Sequence, residues 1–274
     1  MDIIKRNFFR LLRIGAFNEY EPVEPMSDFK WNKLYNMIVV QDVAVCVASA
    51  VKSIPANEPN PIPRFIIDKL FEDKNISAAD ITRQYARQPA YTLCNTLLNR
   101  KLAKIRNNEL HAIDTSIETL DLLNIIVGNI DAIITNGISY NKIIPLGLHL
   151  RRKGDKVDFV KLEKWMKSLL IQQMGQFIGS ILITTLNFEQ EEIPFVQHID
   201  NTAYKRSLQS LTRLPHYDQN EWHFRQGRSG LLHNNSTLLR NNLWHRTKYL
   251  TYAPIETISN FMQSFTNSLS EIEE

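Results

Sequence analysis

The sequence predicts an all-α protein, an irregular multi-helix bundle with a long C-terminal arm and a terminal amphipathic helix. Apolar residues recur at helical spacing along most of the chain, and no long stretch alternates with a period of two. The 274 residues are ample for a hydrophobic core. We expect a helical body over 1–204, a basic and aromatic-rich arm over 205–249, and an amphipathic helix over 250–274 that packs on the body.

The first helix has an apolar face and a basic face. Its apolar face combines residues at helical spacing, namely Ile4, Phe8, Leu11, Leu12 and Gly15. The opposite face carries four basic residues, which are Lys5, Arg6, Arg10 and Arg13. The segment 21–25, which reads EPVEP, ends this helix because proline removes a backbone donor.

Four further segments of the first half read as helices. Ser27 is the predicted N-cap of a helix that continues to Val45. A proline-rich connector over 55–63 separates it from a short helix over 64–72. Ser77 opens another helix, and a longer one over 90–112 has a basic side made of Arg100, Lys101, Lys104 and Arg106.

In the second half, capping signals again mark the helix starts. Thr115 and Glu118 form a predicted capping box, and Gly137 ends the helix that this box begins. A further helix follows over 140–151. Asp158 caps a long helix in which Gly175 and Gly179 admit a closely packed neighbour. After Pro254, one predicted apolar stripe contains Ile255, Ile258, Phe261, Met262, Phe265 and Leu269.

The predicted arm over 205–249 differs from the rest of the chain. It lacks a clear period and contains eight basic and two acidic residues, whereas the whole chain has a net charge of only +3. Cations lie among aromatic rings there, a mixture that suits single-stranded nucleic acid or an anionic surface. Basic and aromatic loops are also common as wrapping segments whose charges are simply solvated.

Several segments resemble the helical flanks of the uncharacterised nucleotidyltransferase family, relatives of the polymerase-β superfamily. The leading segment is carried by FFRLLRIGAFNE and FKWNKLYNMIVVQDVAVCVASAV, which lie within the first 51 residues. The trailing segments are carried by NGISYNKIIPLGLHL, by the stretch from DFVKLEKWM to EEIPF, and by YLTYAPIETISNFMQSF. The resemblance implies a helical protein related to that family, with flanks on either side of a catalytic domain.

The catalytic core that the family places between these flanks is absent from the sequence. Such a core needs a Gly-Ser turn for the nucleotide phosphates and two carboxylates at i and i+2 on a strand for Mg²⁺. The fragment GNIDAIITN over 128–136 offers Asp131, but position 133 is Ile133. The capping pattern places Asp131 on a helix, so we interpret it as a helical aspartate and expect no enzymatic activity.

No other cluster predicts a catalytic, cofactor-binding or metal site. Three carboxylates of one predicted first turn suit the helix dipole, and these are Asp114, Glu118 and Asp121. The group HYDQNEWH has the wrong spacing for zinc, and its candidate ligands are His216, Asp218, Glu221 and His223. The segment 227–230 lacks the residue order of a nucleophile elbow, and Cys46 lies on an apolar helix as a core residue.

Two functions are compatible with these patterns. One is a non-catalytic helical interaction or scaffold protein, whose partner is a protein such as a complete nucleotidyltransferase homologue. The other is a polyanion-binding module for nucleic acid or an anionic surface, with Trp222, Arg225, Arg228, Arg240, Trp244, Arg246 and Lys248 as its contact residues. Two cysteines and the lack of a stretch of roughly 20 apolar residues predict a soluble cytoplasmic chain without a transmembrane segment.

Overall fold

The computed structural model describes most of the chain, namely residues 2–54, 61–72, 89–112, 115–212, 225–226, 232–233, 244 and 246–270. Its α-helices are α1 (Ile3–Phe17), α2 (Asp28–Val40), α3 (Ala44–Ser53), α4 (Arg64–Glu72), α5 (Thr96–Leu110), α6 (Ile117–Thr135), α7 (Tyr140–Lys153), α8 (Phe159–Ser168), α9 (Gln172–Leu186), α10 (Asn201–Ser210) and α11 (Pro254–Ser270). Short 3₁₀ turns cover Gly154–Lys156 and Gln190–Glu192. The predicted all-α class is confirmed.

The described residues contain one small β-ladder. Strand β1 (Arg225–Gln226) pairs with β2 (Leu232–His233) in antiparallel register, with Arg225 opposite His233. Each strand has only two residues, so the ladder does not alter the helical class. The predicted absence of a sheet with three or more strands holds for the part of the chain that the structure describes.

The chain packs as two compact units. Unit 1 combines the segments Met1–Pro89, Ile138–Asp155 and Ile178–Leu214. Unit 2 combines the segments Ala90–Gly137, Lys156–Phe177 and Pro215–Glu274. The division predicted from the sequence, at 204 and 249, stays a prediction because most of the arm lies outside the described residues.

Helix α1 confirms its predicted apolar face and forms the centre of unit 1. Phe8 and Leu12 are fully buried, and the Phe8 ring meets Tyr140 edge-on with 5.9 Å between ring centroids. Gly15 is required by close packing, because a Cβ there would lie only 1.9 Å from the carbonyl oxygen of Cys46. Cys46 is buried, as predicted, and burial raises the pKa of its thiol.

The arginines of α1 pair with the segment that follows the helix. Arg6 and Arg10 approach the carboxylate of Glu24 at 2.9 Å and 2.6 Å, and Arg13 pairs with Glu21. Hydrogen bonds from Arg6, reinforced by Arg10, lower the pKa of Glu24 to about 2. The basic face of α1 therefore folds the EPVEP segment back along the helix.

The predicted helix from Ser27 through Val45 is wrong in one respect, because it breaks into α2 and α3. Asp42 adopts a left-handed backbone with φ 51°, and the N–H of Val43 donates to the carbonyl of Ile38. This six-residue hydrogen-bonded ring is a Schellman motif, which ends a helix. An aspartate takes the place of the usual glycine here, so no clear stop signal is present in the sequence.

The same motif divides the long helix predicted after Asp158. Leu170 has φ 57°, and the N–H of Ile171 donates to the carbonyl of Met166. Helix α8 therefore ends at Ser168, and α9 follows it. The predicted start is confirmed, because the side chain of Asp158 accepts from the N–H of Lys161 at 2.9 Å.

Two other predicted helix starts are displaced. Helix α5 begins at Thr96 rather than near 90, because the side chain of Asn95 caps it by accepting from two backbone N–H groups. The predicted capping box at Thr115 is wrong: Ser116 is the N-cap of α6, and no side chain caps that end.

The predicted end of α6 is confirmed, because Gly137 follows its last turn with a φ of 97°. The predicted start at Ser77 lies outside the described residues.

The predicted close packing at the two glycines of α9 is present at Gly179. A Cβ on Gly179 would lie 2.3 Å from a side-chain carbon of Val196, whereas one on Gly175 would meet only the flexible side chain of Met166. Among the described helices, none is long and apolar enough to cross a membrane.

Candidate interaction surface on helix α11

Helix α11 confirms the predicted C-terminal helix but not the burial of its apolar stripe. Ile255, Ile258 and Met262 are 37%, 54% and 52% exposed, although the sequence predicted that the stripe covers the rest of the protein. Phe261 and Phe265 are half-buried and stack with 6.5 Å between ring centroids. We call the three exposed residues Ile255, Ile258 and Met262 the α11 face.

The buried side of α11 is polar. Glu256, Thr257 and Asn260 are only 1%, 2% and 6% exposed. Residues 256, 257 and 260 share one side of a helix because of its 3.6-residue period, opposite to the α11 face. Amphipathic helices normally bury their apolar side. Helix α11 is inverted in the sense that it buries its polar side, and its contacts explain this orientation.

The carboxylate of Glu256 anchors α11 to the turn that precedes α5. It accepts hydrogen bonds from the backbone N–H groups of Cys94 at 2.5 Å and Asn95 at 3.1 Å. The Asn95 side chain is occupied in capping α5, and its Nδ2 donates to Ser259 of α11 at 3.0 Å. Two backbone donors thus have one buried acceptor, and leaving them unpaired would cost free energy.

The buried carboxylate has an altered pKa. Burial raises the pKa of Glu256, while the hydrogen bonds from the Cys94 and Asn95 N–H groups oppose the rise. Burial, together with the nearby charge of Glu256, raises the pKa of the Cys94 thiol to about 12. Cys94 therefore remains a protonated thiol at neutral pH, which is a poor nucleophile and a poor metal ligand.

Asn260 makes the second polar anchor of α11. Its Nδ2 donates to the hydroxyl of Thr135 at 3.1 Å and to the sulfur of Cys94 at 3.5 Å. Thr135 is the last residue of α6, so this contact attaches α11 to the end of that helix. Glu256 and Asn260 together hold the polar side of α11 against the other helices of unit 2.

Arg246, one of the predicted polyanion contacts, is buried against α11 and does not face solvent. It is 7% exposed, its Nη2 donates to the hydroxyl of Ser264 at 2.8 Å, and its guanidinium lies 5.8 Å from the Phe261 ring centroid. Burial lowers its pKa. Among the described residues its Nη1 has no hydrogen-bond partner.

The other predicted polyanion contacts are not brought together by the described part of the chain. Trp244 is 63% exposed and Lys248 is exposed, while Arg225 lies in strand β1. Three further contacts lie outside the described residues, namely Trp222, Arg228 and Arg240. The polyanion-binding arm thus stays a prediction.

The α11 face is apolar, and α11 itself places no charged side chain beside it. Between Pro254 and Thr266 the only charged residue is Glu256, which is buried on the other side. Leu97 is 65% exposed and lies two residues after Asn95, whose side chain bonds α11. Exposed apolar rows of this kind mark protein–protein contact sites when they are not covered by their own chain.

Of the residues considered for catalysis, Asp131 lies close enough to the buried side of α11 for its charge to help raise the pKa of Glu256, and several others lie outside the described residues. Asp131 lies on α6 as predicted, and Ile133 occupies the position where a second carboxylate would be needed and is buried. Glu118 lies in the first turn of α6 and Asp121 is exposed, whereas Asp114, the HYDQNEWH group and segment 227–230 fall outside the described residues. Across the described residues, no group of His, Cys, Asp and Glu side chains has the geometry of a metal site.

Sequence reasoning missed Glu256 as the organising residue of this surface. Its only signal was an acidic residue in the first turn of a helix that begins with proline. That position is ordinarily explained by the helix dipole, and nothing local reports the two N–H groups of residues 94 and 95 that it reaches. No family model, curated protein or solved structure matches the chain.

Proposed function

We propose that the protein is a non-catalytic helical interaction protein that binds a protein partner through the α11 face. The observation that supports this proposal is the inversion of α11, which buries Glu256 and Asn260 and leaves Ile258 and Met262 in solvent. Three apolar side chains at i, i+3 and i+7 form the row with which a helix enters an apolar groove or packs on another helix.

The chemistry of the face defines the partner. A charged partner surface would lose hydration against the α11 face without gaining an ion pair, because no charged residue is exposed between Pro254 and Thr266. The partner is therefore a protein that presents an uncharged, apolar groove or helix. Unit 2 holds the helix in place by side-chain hydrogen bonds, so little ordering cost remains for binding.

The proposal includes a non-catalytic relationship to nucleotidyltransferase-like proteins and a cytoplasmic location. It draws on the sequence resemblance of the helical flanks and on Asp131, which lies on helix α6 two positions before Ile133. Carboxylates at i and i+2 on a helix would point in different directions, so this fragment cannot hold paired metal ions. The location draws on the free thiols of Cys46 and Cys94.

Site-directed photo-cross-linking tests the interaction. A photoreactive side chain at position 258 in the full-length protein, expressed in its own cells, is expected to give one defined adduct. Met262→Asp should abolish that adduct without changing the melting temperature, since Met262 is 52% exposed. The matched control is position 160, where Val160 is 67% exposed on α8 of the same unit and should give no adduct.

The identity of the adduct separates the outcomes. A heterologous protein supports the proposal, and an adduct of twice the chain's mass shows that the partner is a second copy. Equal, diffuse cross-linking from positions 258 and 160 would refute the interaction role. Incubation with labelled nucleoside triphosphates and Mg²⁺ tests the non-catalytic part, which fails if incorporation occurs and is lost in Asp131→Ala.

A further inference from the structure

Helices α1 and α10 of unit 1 border a second site that is separate from α11. A cavity of about 560 Å³ lies between them. It is lined by Lys5, Tyr204, Lys205, Leu208, Gln209 and Thr212. This volume falls within the range of roughly 300–1,000 Å³ in which small ligands bind.

Lys5 differs from the other cations of α1. The three arginines of the helix, Arg6, Arg10 and Arg13, all pair with glutamates of the following segment. Lys5 forms no ion pair or side-chain hydrogen bond with any residue that the structure describes, and it borders the cavity half-buried. Glutamates thus compensate the positive charges of the three arginines, whereas no described carboxylate compensates the charge of Lys5.

Lys205 provides a second available cation from the opposite helix. It is exposed on α10 and has no ion pair within the described part of the chain. Among the described residues, no acidic side chain lines the cavity and neutralises the two ammonium groups. Gln209 of α10 and Thr212, two residues after the end of that helix, add neutral hydrogen-bond donors to the cavity wall.

We propose that this cavity binds a small anion that carries phosphate groups. Two lysines act as point charges on phosphate oxygens, and neutral donors complete the hydrogen bonding of such a ligand. Lys5 and Lys205 line one concave site of limited size, whereas a nucleic-acid strand would need a basic stripe along the surface. This inference does not depend on the α11 face.

Calorimetric titration of the full-length protein with inorganic pyrophosphate at low salt tests the site. Saturable binding is expected, and the double variant Lys5→Gln/Lys205→Gln should weaken it by about tenfold or more. Lys5→Arg/Lys205→Arg keeps both charges and should retain binding within about threefold. Added salt should weaken the wild-type affinity because the exposed lysine is screened.

The matched control is Lys30→Gln, which removes an exposed lysine of α2 that does not line the cavity. Its binding should equal that of the wild type, and all variants should keep the wild-type melting temperature. The proposal is overturned by the absence of saturable binding at millimolar pyrophosphate or by an equal loss in Lys30→Gln. Tighter binding of a single-stranded oligonucleotide than of pyrophosphate would also overturn it, in favour of a polymer surface.

Discussion

Helix α1 of unit 1 and helix α11 of unit 2 are both amphipathic, yet they place opposite sides in the interior. Helix α1 buries Phe8 and Leu12 and keeps its arginines at the surface in ion pairs. Helix α11 buries Glu256 and Asn260 and exposes its apolar face. The comparison shows that a helical pattern identifies the apolar side of a helix without determining which side faces the core.

The neighbours of each helix explain the difference. Around α1 lie apolar side chains of unit 1, such as the buried Tyr140 ring against Phe8, so apolar burial releases the most water. Beside α11 lie backbone N–H groups of residues 94 and 95 that would be unpaired without Glu256, and only an acceptor can satisfy them there. Helix α11 satisfies these donors with its polar side and leaves three apolar side chains exposed.

The largest expected effect comes from removing apolar side chains on the two helices. Phe8→Ala should lower the free energy of unfolding by about 3–5 kcal/mol, since Phe8 is fully buried against Phe9 and Tyr140. Ile258→Ala should change it by no more than about 0.5 kcal/mol, since Ile258 is 54% exposed. Urea denaturation of both variants measures the contrast.

Equal losses in the two variants would contradict the inversion of α11. The stripe would then be covered by the chain itself, as the sequence predicted, and the α11 face would not be available to a partner. Leu12→Ala also removes a fully buried side chain of α1 and should lower the free energy of unfolding about as much as Phe8→Ala does. It serves as a control because Leu12 is not part of the aromatic cluster around Phe8.

A smaller effect is expected from the polar anchor. Glu256→Ala removes the acceptor of two backbone N–H groups, and we expect it to cost about 1–3 kcal/mol of stability. The corresponding Glu24→Ala in unit 1 should cost less, because the Glu24 ion pairs are accessible to solvent and screened. Thermal unfolding at neutral pH compares the two.

The control for Glu256→Ala is Gln263→Ala, an exposed polar position of the same helix. Alanine improves helix propensity similarly at both positions, so the difference between the variants isolates the anchor. If Glu256→Ala were as stable as Gln263→Ala, the hydrogen bonds to the 94–95 turn would not be what orients α11.

Much of the fold could be predicted from the sequence because its signals are local. The apolar face of α1, the Asp158 cap and the Gly137 terminator each depend on side-chain or backbone properties within a few residues. The breaks at Asp42 and Leu170 escaped because these residues adopt left-handed backbone conformations without being glycine. Residues other than glycine adopt this conformation only where tertiary packing stabilises it. A pattern in a single sequence carries no information about that packing.

The candidate surface was less predictable than the fold. The sequence correctly indicates an amphipathic helix after Pro254, but the side that it buries depends on N–H groups about 160 positions away in the chain. Arg246 was predicted to contact a polyanion because it lies in a basic, aromatic-rich segment. In the structure it bonds Ser264, a partner that no spacing rule connects to it.

The smallest expected effect is also the most specific one, because acid should act on the two anchoring carboxylates with opposite sign. The pKa of Glu24 falls from 4.5 to about 2 in the folded protein. Its stabilising contribution is therefore present above pH 4.5 and is lost as the pH falls toward 2. The pKa of Glu256 is raised above 4.5, so the additional stability that its protonation provides is fully present below pH 4.5 and is lost as the pH rises through the raised value.

Melting temperatures of the wild type, Glu24→Gln and Glu256→Gln between about pH 7 and pH 3 test this pair of signs. The advantage of the wild type over Glu24→Gln should shrink on acidification below pH 4.5, as the Arg6 and Arg10 ion pairs are lost. Relative to Glu256→Gln, the wild type should instead gain as the pH falls from neutral toward 4.5, since protonation removes a buried charge. If both differences shrank together, Glu256 would behave as an ordinary exposed carboxylate. The buried side of α11 would then have to be assigned differently, and with it the exposure of Ile258 and Met262.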